Sequence, residues 1–199
     1  MPRLVDRERR RDELGEAVWR VVRRDGLPAA TVRAVATEAG TSVGALRHYF
    51  TTQAELLAFA MRRVSDQVRD RIASRDLGGD RRTAGLRLLA ELLPLDEQRR
   101  AEGEVWLAFI AQAQIDPALR ELRDQTHEDL RRACQAVLEG LAEAELLHAA
   151  IDIESETRRL HALLDGLALH NLLSPQQLTP GRALQLLEGH LDSLQHQSP

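Results

Sequence analysis

The twenty residues that begin at Thr31 constrain this chain most, because their spacing predicts two short helices joined by a tight turn. Thr31 and Ser42 each stand where a side-chain oxygen can cap a helix. Gly40 lies between the two helices, where a left-handed backbone has no steric penalty for glycine. The small Ala36, the glycine four positions later and the apolar Leu46 six positions after that are typical of a helix-turn-helix.

The outward side of the second short helix is polar or small, so it can enter the major groove of DNA. Arg47 is the candidate for base reading, because arginine can bond guanine O6 and N7 together. Val43 and Ala45 are candidates for contact with a thymine methyl. The predicted DNA-binding residues are Arg9, Arg10, Thr31, Arg33, Ser42, Val43, Gly44, Ala45, Arg47, His48, Tyr49, Thr52 and Gln53.

Two of these assignments have open alternatives. Arg9 and Arg10 belong to an arginine-rich N-terminus, which is either a solvated arm or a contact with DNA phosphates. Tyr49 either meets DNA or packs under the helix that follows it.

The residues around the motif resemble the TetR family of one-component transcriptional regulators. The matching segments are residues 46–50, residues 52–57, and the predicted helix at 9–25 with Gly26 and Thr31 after it. This resemblance covers about residues 7–68. Residues 103–109 and 116–120 resemble the C-terminal domain of the betaine-regulator branch of that family.

The resemblance implies roles for individual residues of the motif. It implies that His48 and Tyr49 contact phosphates. Arg47 and Gln53 depart from the family, many of whose members carry tyrosine and lysine at these two positions. Gln53 therefore lacks the usual positive charge at the start of the fourth helix, although its amide can still bond a phosphate.

Charge is unevenly distributed along the chain. The 199 residues carry a net charge of −4, yet residues 1–52 hold ten arginines against seven acidic residues, a net charge of +3. A basic N-terminal part on an acidic remainder suits a DNA reader with a separate regulatory domain. The single cysteine excludes an internal disulfide, and neither a signal peptide nor a membrane span is predicted, so we expect a cytoplasmic protein.

Apolar periodicity predicts an all-α protein of about nine helices, with no convincing strand. The predicted DNA-binding domain spans residues 7–68 and contains the helix-turn-helix at 31–50. The C-terminal regulatory, ligand-binding and dimerisation domain spans 80–196. Its helices are predicted at 81–93, 96–115, 117–147, 154–173 and 180–195.

Leucines at three-four spacing on the last two predicted helices indicate a four-helix dimer contact. The predicted interface residues are Leu163, Leu167, His170, Leu184, Leu187, Leu191 and Leu194. The alternative is that these leucines form the core of a single chain. A two-fold dimer would present two recognition helices to successive major grooves, so the DNA operator is expected to be an inverted repeat.

By resemblance, the C-terminal domain binds a small-molecule effector. Few aromatic residues lie beyond residue 61, which favours a largely aliphatic ligand over a quaternary ammonium held in an aromatic cage. The candidate effector residues are Trp106, Phe109, Ile110, Gln112, Ala113, His127, Leu130, Cys134, His161 and Asp165. His161 and Asp165 lie four residues apart and share a helix face. The alternative for each residue is ordinary core packing, and no metal or cofactor is predicted.

These features predict a homodimeric repressor of the TetR type that a small molecule releases from its operator. One alternative is a DNA-binding regulator that needs no effector or that activates transcription. Another is a small helical enzyme that uses His161, Asp165 or His127, but no nucleophile, base and oxyanion site stand at readable spacing, so we predict no enzymatic activity.

Overall fold

The computed structural model describes residues 2–26, 29–74 and 78–195, except the side chains of residues 2–8, 11, 12 and 53. The all-α prediction is confirmed, since these residues form nine α-helices and no strand. The helices are α1 Pro2–Asp25, α2 Val32–Glu38, α3 Val43–Arg47, α4 Gln53–Ser74, α5 Arg81–Ala90, α6 Glu97–Ala113, α7 Arg120–Glu143, α8 Ile153–Leu173 and α9 Pro180–Ser193. A short 3-10 turn, Pro117–Leu119, precedes α7.

Two helix ends differ from the sequence-based prediction by four residues or more. α1 begins at Pro2 rather than at residue 9. α7 ends at Glu143 rather than at 147, because Glu145 adopts a left-handed φ of 57°. The backbone N–H of Leu146 then donates to the carbonyl of Leu141 at 3.0 Å, which closes a Schellman-type helix end. A helix end in this conformation usually carries glycine, and glutamate is rare there. The sequence therefore contains no signal that α7 ends before 147.

The chain divides into two compact units. The head unit comprises Met1–Gln67 with Glu104–Arg123, and the body unit comprises Val68–Gly103 with Asp124–Pro199. The domain limits that the sequence suggested, 7–68 and 80–196, remain a prediction.

In the head unit, α1 and α4 pack closely where a glycine faces an aromatic ring. A Cβ atom added at Gly15 would lie 2.6 Å from Cε1 of Phe59. Phe59 in turn meets the ring of Phe50 edge-on, with 5.1 Å between centroids. Buried Leu14 and Leu46 complete the apolar interior that holds the helix-turn-helix against α1.

In the body unit, the core is almost entirely aliphatic. α5 approaches α7 at Gly85, where an added Cβ would lie 2.8 Å from Cγ1 of Val137. Asp80 and Asp152 cap α5 and α8, since each carboxylate accepts from a backbone N–H three residues on, at 2.7 Å and 3.1 Å. The largest fully buried side chains in this unit are Leu89, Leu93, Leu138, Leu141, Leu160, Leu164 and Leu187.

A buried ionic network lies at the C-terminal end of α4. The guanidinium of Arg71 donates to both carboxylate oxygens of Glu102 at 2.7 Å each, and to a carboxylate oxygen of Glu91 at 2.7 Å. Glu91 and Glu102 are only 2% and 4% exposed. This network fixes the end of α4 against α6 and the C-terminus of α5.

Candidate DNA-reading surface and effector site

The helix-turn-helix forms through local hydrogen bonds that the sequence predicted. The hydroxyl of Thr31 accepts from the backbone N–H of Ala34 at 3.2 Å and caps α2. The hydroxyl of Ser42 accepts from the N–H of Ala45 at 3.0 Å and caps α3. Gly40 has a φ of +59°, which opens the turn between the two helices without strain.

The outward side of α3 is open to solvent. Ser42, Gly44, Arg47 and His48 are exposed, and Val43, Ala45 and Tyr49 are half-buried. An added Cβ at Gly44 would meet only the hydroxyl of Ser42, at 3.8 Å, so the helix surface is unobstructed at this point. None of the described side chains pairs with the guanidinium of Arg47, which leaves all its N–H donors available.

The remaining predicted DNA contacts have different surroundings. Arg33 is exposed on α2, and exposed Thr52 already uses its hydroxyl to accept from the N–H of Glu55 at 3.1 Å. Arg10 donates to Glu13 at 2.7 Å, and Arg9 lies 3.8 Å from the same carboxylate. Both arginines lie within α1, so they belong to a helix rather than to an extended arm. The side chain of Gln53 lies outside the described residues.

An ion pair that the sequence analysis missed fixes α2 against α1. The carboxylate of Glu38 accepts from Arg20 at 2.7 Å and from Arg24 at 2.8 Å. These two hydrogen bonds, from Arg20 first, lower the pKa of Glu38 below its ordinary value. Arg20 and Arg24 lie four residues apart, so their shared helix face was the available signal. We assign these two arginines a positioning role in the head unit.

The predicted effector residues fall into both compact units. Trp106, Phe109, Ile110, Gln112 and Ala113 lie on the part of α6 that belongs to the head unit, where Phe109 and Ala113 are fully buried. His127, Leu130, Cys134, His161 and Asp165 lie on α7 and α8 in the body unit.

Three of the body-unit residues come together. The rings of His127 and His161 lie 4.4 Å apart between centroids, and Nε2 of His161 lies 3.5 Å from Oδ2 of Asp165. Burial, followed by the charges of His127 and Arg131, lowers the pKa of His161 despite the opposing effect of Asp165. Burial raises the pKa of Asp165, an effect that the two histidines only partly offset.

Cys134 lies fully buried on α7. Burial raises the pKa of its thiol to about 12. The thiolate is the reactive form, so burial disfavours reaction of this cysteine, which packs as a small core residue.

Comparisons with known proteins decide the family. A model of the bacterial regulatory proteins of the tetR family matches residues 16–59, and a model of the C-terminal part of BetI-type transcriptional repressors matches residues 81–196. The chain belongs to the TetR family of transcriptional regulators. Because this family consists of regulators, the alternative of a small helical enzyme is set aside.

Related proteins extend the TetR-family match over the whole chain. The HTH-type transcriptional regulator PksA of Bacillus subtilis is 41% identical over 197 residues, 98% of this chain and 94% of PksA. The regulator BetI of Burkholderia mallei is 34% identical over 200 residues, 98% of this chain and 97% of BetI. A crystal structure of a transcriptional regulator from Rhodococcus sp. Rha1 has a TM-score of 0.78 at 34% identity and covers 92% of this chain and 95% of its own.

The leucine seams of this TetR-family chain lie in its own core. Leu167, Leu187, Leu191 and Leu194 are at most 6% exposed and pack within the body unit. A second copy could not reach them in the folded chain, so their placement in a dimer contact needs correction. Periodicity identified the buried side of each helix. That side is covered by other helices of the same chain, as in the alternative of a single-chain core. Leu163 and Leu184 are half-buried and His170 is exposed, so these three remain accessible.

The opposite sides of α8 and α9 carry small and apolar residues that solvent reaches. Leu173 and Leu186 are 65% and 41% exposed. Added Cβ atoms at Gly166 and Gly189 would meet nothing within 4 Å. Among the described residues no helix is long and apolar enough to cross a membrane.

Proposed function

We propose that this TetR-family regulator is a homodimeric repressor that binds an inverted-repeat operator and is released from it by a small molecule. The observation that carries the proposal is the capped helix-turn-helix whose outward side presents Arg47 without a partner among the described side chains. Regulators of this family bind DNA and small-molecule ligands and are typically dimers.

The proposed reading of DNA uses the outward side of α3, Val43–Arg47, in the major groove. Arg47 binds a guanine, and Val43 or Ala45 of the same helix makes apolar contact with a thymine methyl group. Arg33 and His48 are exposed and supply contacts with phosphates. Because Thr31 and Thr52 already cap helices, their hydroxyls position α2 and α4 and make at most a second bond to phosphate.

The proposed dimer uses the accessible sides of α8 and α9 rather than the buried leucine seams. Small residues at Ala162, Gly166 and Gly189 let two helix backbones approach closely, and Leu173 and Leu186 supply apolar area. Two recognition helices would then meet half-sites one helical turn apart, about 34 Å.

The repressor role rests on the match to the BetI-type repressor C-terminal model over residues 81–196. In a repressor of this kind DNA and effector each lower the affinity for the other by the same factor. The effector is expected to contact body-unit residues of α7 and α8, including His127, Leu130, His161 and Asp165.

A gel-shift titration against DNA that flanks the gene tests the proposal. We expect the wild-type chain to retard one flanking fragment in competition with random DNA. Arg47→Ala is expected to lose discrimination between that fragment and random DNA by about 1–3 kcal/mol. An equal loss on both DNAs would place Arg47 on a phosphate, and no retardation by the folded chain would refute the repressor.

A transcription assay with the same fragment separates the repressor from its alternatives. We expect the wild-type chain to lower transcription from the flanking promoter. A rise in transcription would identify an activator.

A further inference from the structure

The cluster of His127, His161 and Asp165 in the body unit has unmet hydrogen-bonding capacity. His161 is only 6% exposed, and its Nε2 atom has no hydrogen-bond partner among the described residues. The 3.5 Å from this atom to Oδ2 of Asp165 is too long for a good hydrogen bond between them. A buried polar atom in this state is unfavourable unless a further group satisfies it.

Among the described residues no arginine pairs with the carboxylate of Asp165. Only the two histidines oppose the effect of burial on its pKa. Arg131 acts on His161, but its guanidinium is held by Glu128 at 2.7 and 2.8 Å and by Gln135 at 2.8 Å. The positive charge of Arg131 is therefore balanced within α7 and does not serve Asp165.

A ligand from solution can reach the outer part of this cluster, whereas Nε2 of His161 itself has almost no exposed surface. His127 is exposed, the side chain of Asp165 is 41% exposed, and His161 lies behind them in the interior. Leu130 and Leu163 are partly buried on the same two helices and offer apolar contact beside the polar groups. The polar cluster therefore extends from the surface to the edge of the aliphatic core.

The acceptors of the cluster select a ligand by its hydrogen-bond donors and charge. An anion would be repelled by Asp165, and a neutral hydroxyl would leave the carboxylate charge unbalanced. A quaternary ammonium has no N–H and is usually bound by several aromatic rings, yet the sequence of the body unit contains no Phe, Tyr or Trp. A protonated amine supplies both positive charge and several N–H donors.

We propose that Asp165 and His161 bind the protonated amino group of an aliphatic primary or secondary amine. The carboxylate forms a charge-assisted hydrogen bond with one N–H, and the neutral imidazole accepts another through Nε2. Leu130 and Leu163 contact the aliphatic part of the ligand. The inference rests on the proposed function in one respect, namely that binding of the amine releases DNA.

Four probes with the same eight-carbon chain test the head-group selectivity of the wild-type protein. They are octylamine, 1-octanol, octanoate and octyltrimethylammonium, each added to the full chain at pH 7 below the concentration at which it forms micelles. We expect octylamine alone to raise the melting temperature, since only it offers charge and N–H donors together. Equal stabilisation by another probe, or none by octylamine, would overturn the proposal.

Substitution of the carboxylate tests the site itself. Asp165→Asn is expected to weaken octylamine binding in calorimetric titration by about tenfold or more, because a charge-assisted hydrogen bond is lost. The matched control is Glu154→Gln, which removes an exposed carboxylate of the same helix that pairs with Arg158 and should leave the affinity unchanged. An unchanged affinity in Asp165→Asn would show that the amine binds elsewhere.

DNA binding without amine separates the two proposals. If the chain binds its operator but octylamine neither binds it nor releases the DNA, the amine site is wrong and the repressor stands. If the chain binds no flanking DNA but binds octylamine through Asp165, the site stands and the proposed function fails. The probe comparison uses the wild-type protein, so its outcome does not depend on the folding of any variant.

Discussion

Gly166, in the middle of α8, allows the proposed dimer contact to be disrupted without disturbing the fold of one chain. An added Cβ atom at this position meets nothing within 4 Å, so a longer side chain has room in the folded chain. Gly166→Glu would place a charged side chain on the surface where the partner helix is proposed to approach, close to its two-fold copy. Gly140 on α7 also has no atom within 4 Å of an added Cβ, which makes Gly140→Glu the matched control.

Helix propensity sets the expected change in the stability of one chain, and bivalency sets the expected change in operator affinity. Replacing a glycine inside a helix with a better helix former stabilises the single chain by roughly 0.5–1 kcal/mol. Loss of the dimer uncouples the two recognition helices, and linked binding modules typically gain 10²–10⁴-fold in affinity over single ones. Gly166→Glu is therefore expected to fold well and to lose operator affinity by roughly 10²–10⁴-fold.

Light scattering, circular dichroism and gel shift measure the mass, the helical content and the operator affinity of both variants. The chain has a mass of 22.3 kDa, and we expect Gly166→Glu at that mass with full helical content. Gly140→Glu should keep twice that mass and the affinity of the wild type. A dimeric Gly166→Glu with normal operator affinity would refute the α8–α9 contact. A monomeric but unfolded variant would instead refute the reasoning from open space at this glycine.

Other perturbations test the packing of each unit. Arg71→Ala leaves buried Glu102 without its arginine and buried Glu91 with only Arg99, 3.5 Å away, and should destabilise the chain by about 3–5 kcal/mol in urea unfolding. Replacing Arg71, Glu91 and Glu102 together with neutral residues should recover most of that loss. The Cβ atom of Gly15→Ala would meet the ring of Phe59, and this overpacking should destabilise the head unit by about 1–3 kcal/mol. Better helix propensity should offset about 1 kcal/mol of that loss. Adding Phe59→Leu should relieve the overpacking. The pKa of Glu38 is lowered in the folded chain, so its contribution to stability is present above pH 4.5 and is lost as the pH falls through the folded-state value. The free energy of unfolding of Glu38→Gln should therefore fall less steeply with decreasing pH in this range than that of the wild type.

The head unit could be predicted closely because its determinants are local. Thr31, Gly40 and Ser42 act through hydrogen bonds or backbone angles within a few residues, and each does what its position suggested. The pair between Glu38 and the arginines of α1 was not predicted, because its partners are 14 and 18 residues apart. Helical periodicity gives the face of each side chain but not which neighbouring helix will cover that face.

The same limit explains the leucines of α8 and α9. Their three-four spacing fits a dimer seam and an internal core equally well, since both bury one stripe of a helix. Leu187 and Leu191 are fully buried in one chain because α9 lies on the body-unit core. The accessible side is marked only by small residues such as Gly166 and Gly189, and glycine inside a helix gives no periodic signal.

The polar cluster shows why composition and spacing alone could not define the effector. His161 and Asp165 four residues apart predicted a shared helix face, and the structure confirms that they are neighbours. Whether such a pair binds a ligand depends on whether other side chains already satisfy its hydrogen bonds and its charge. Here the neighbouring side chains lie on α7. Arg131 acts on His161, and Glu128 and Gln135 hold its guanidinium within its own helix. Among the described residues only the two histidines oppose the effect of burial on Asp165, and the proposed amine would add the positive charge that spacing along the sequence could not reveal.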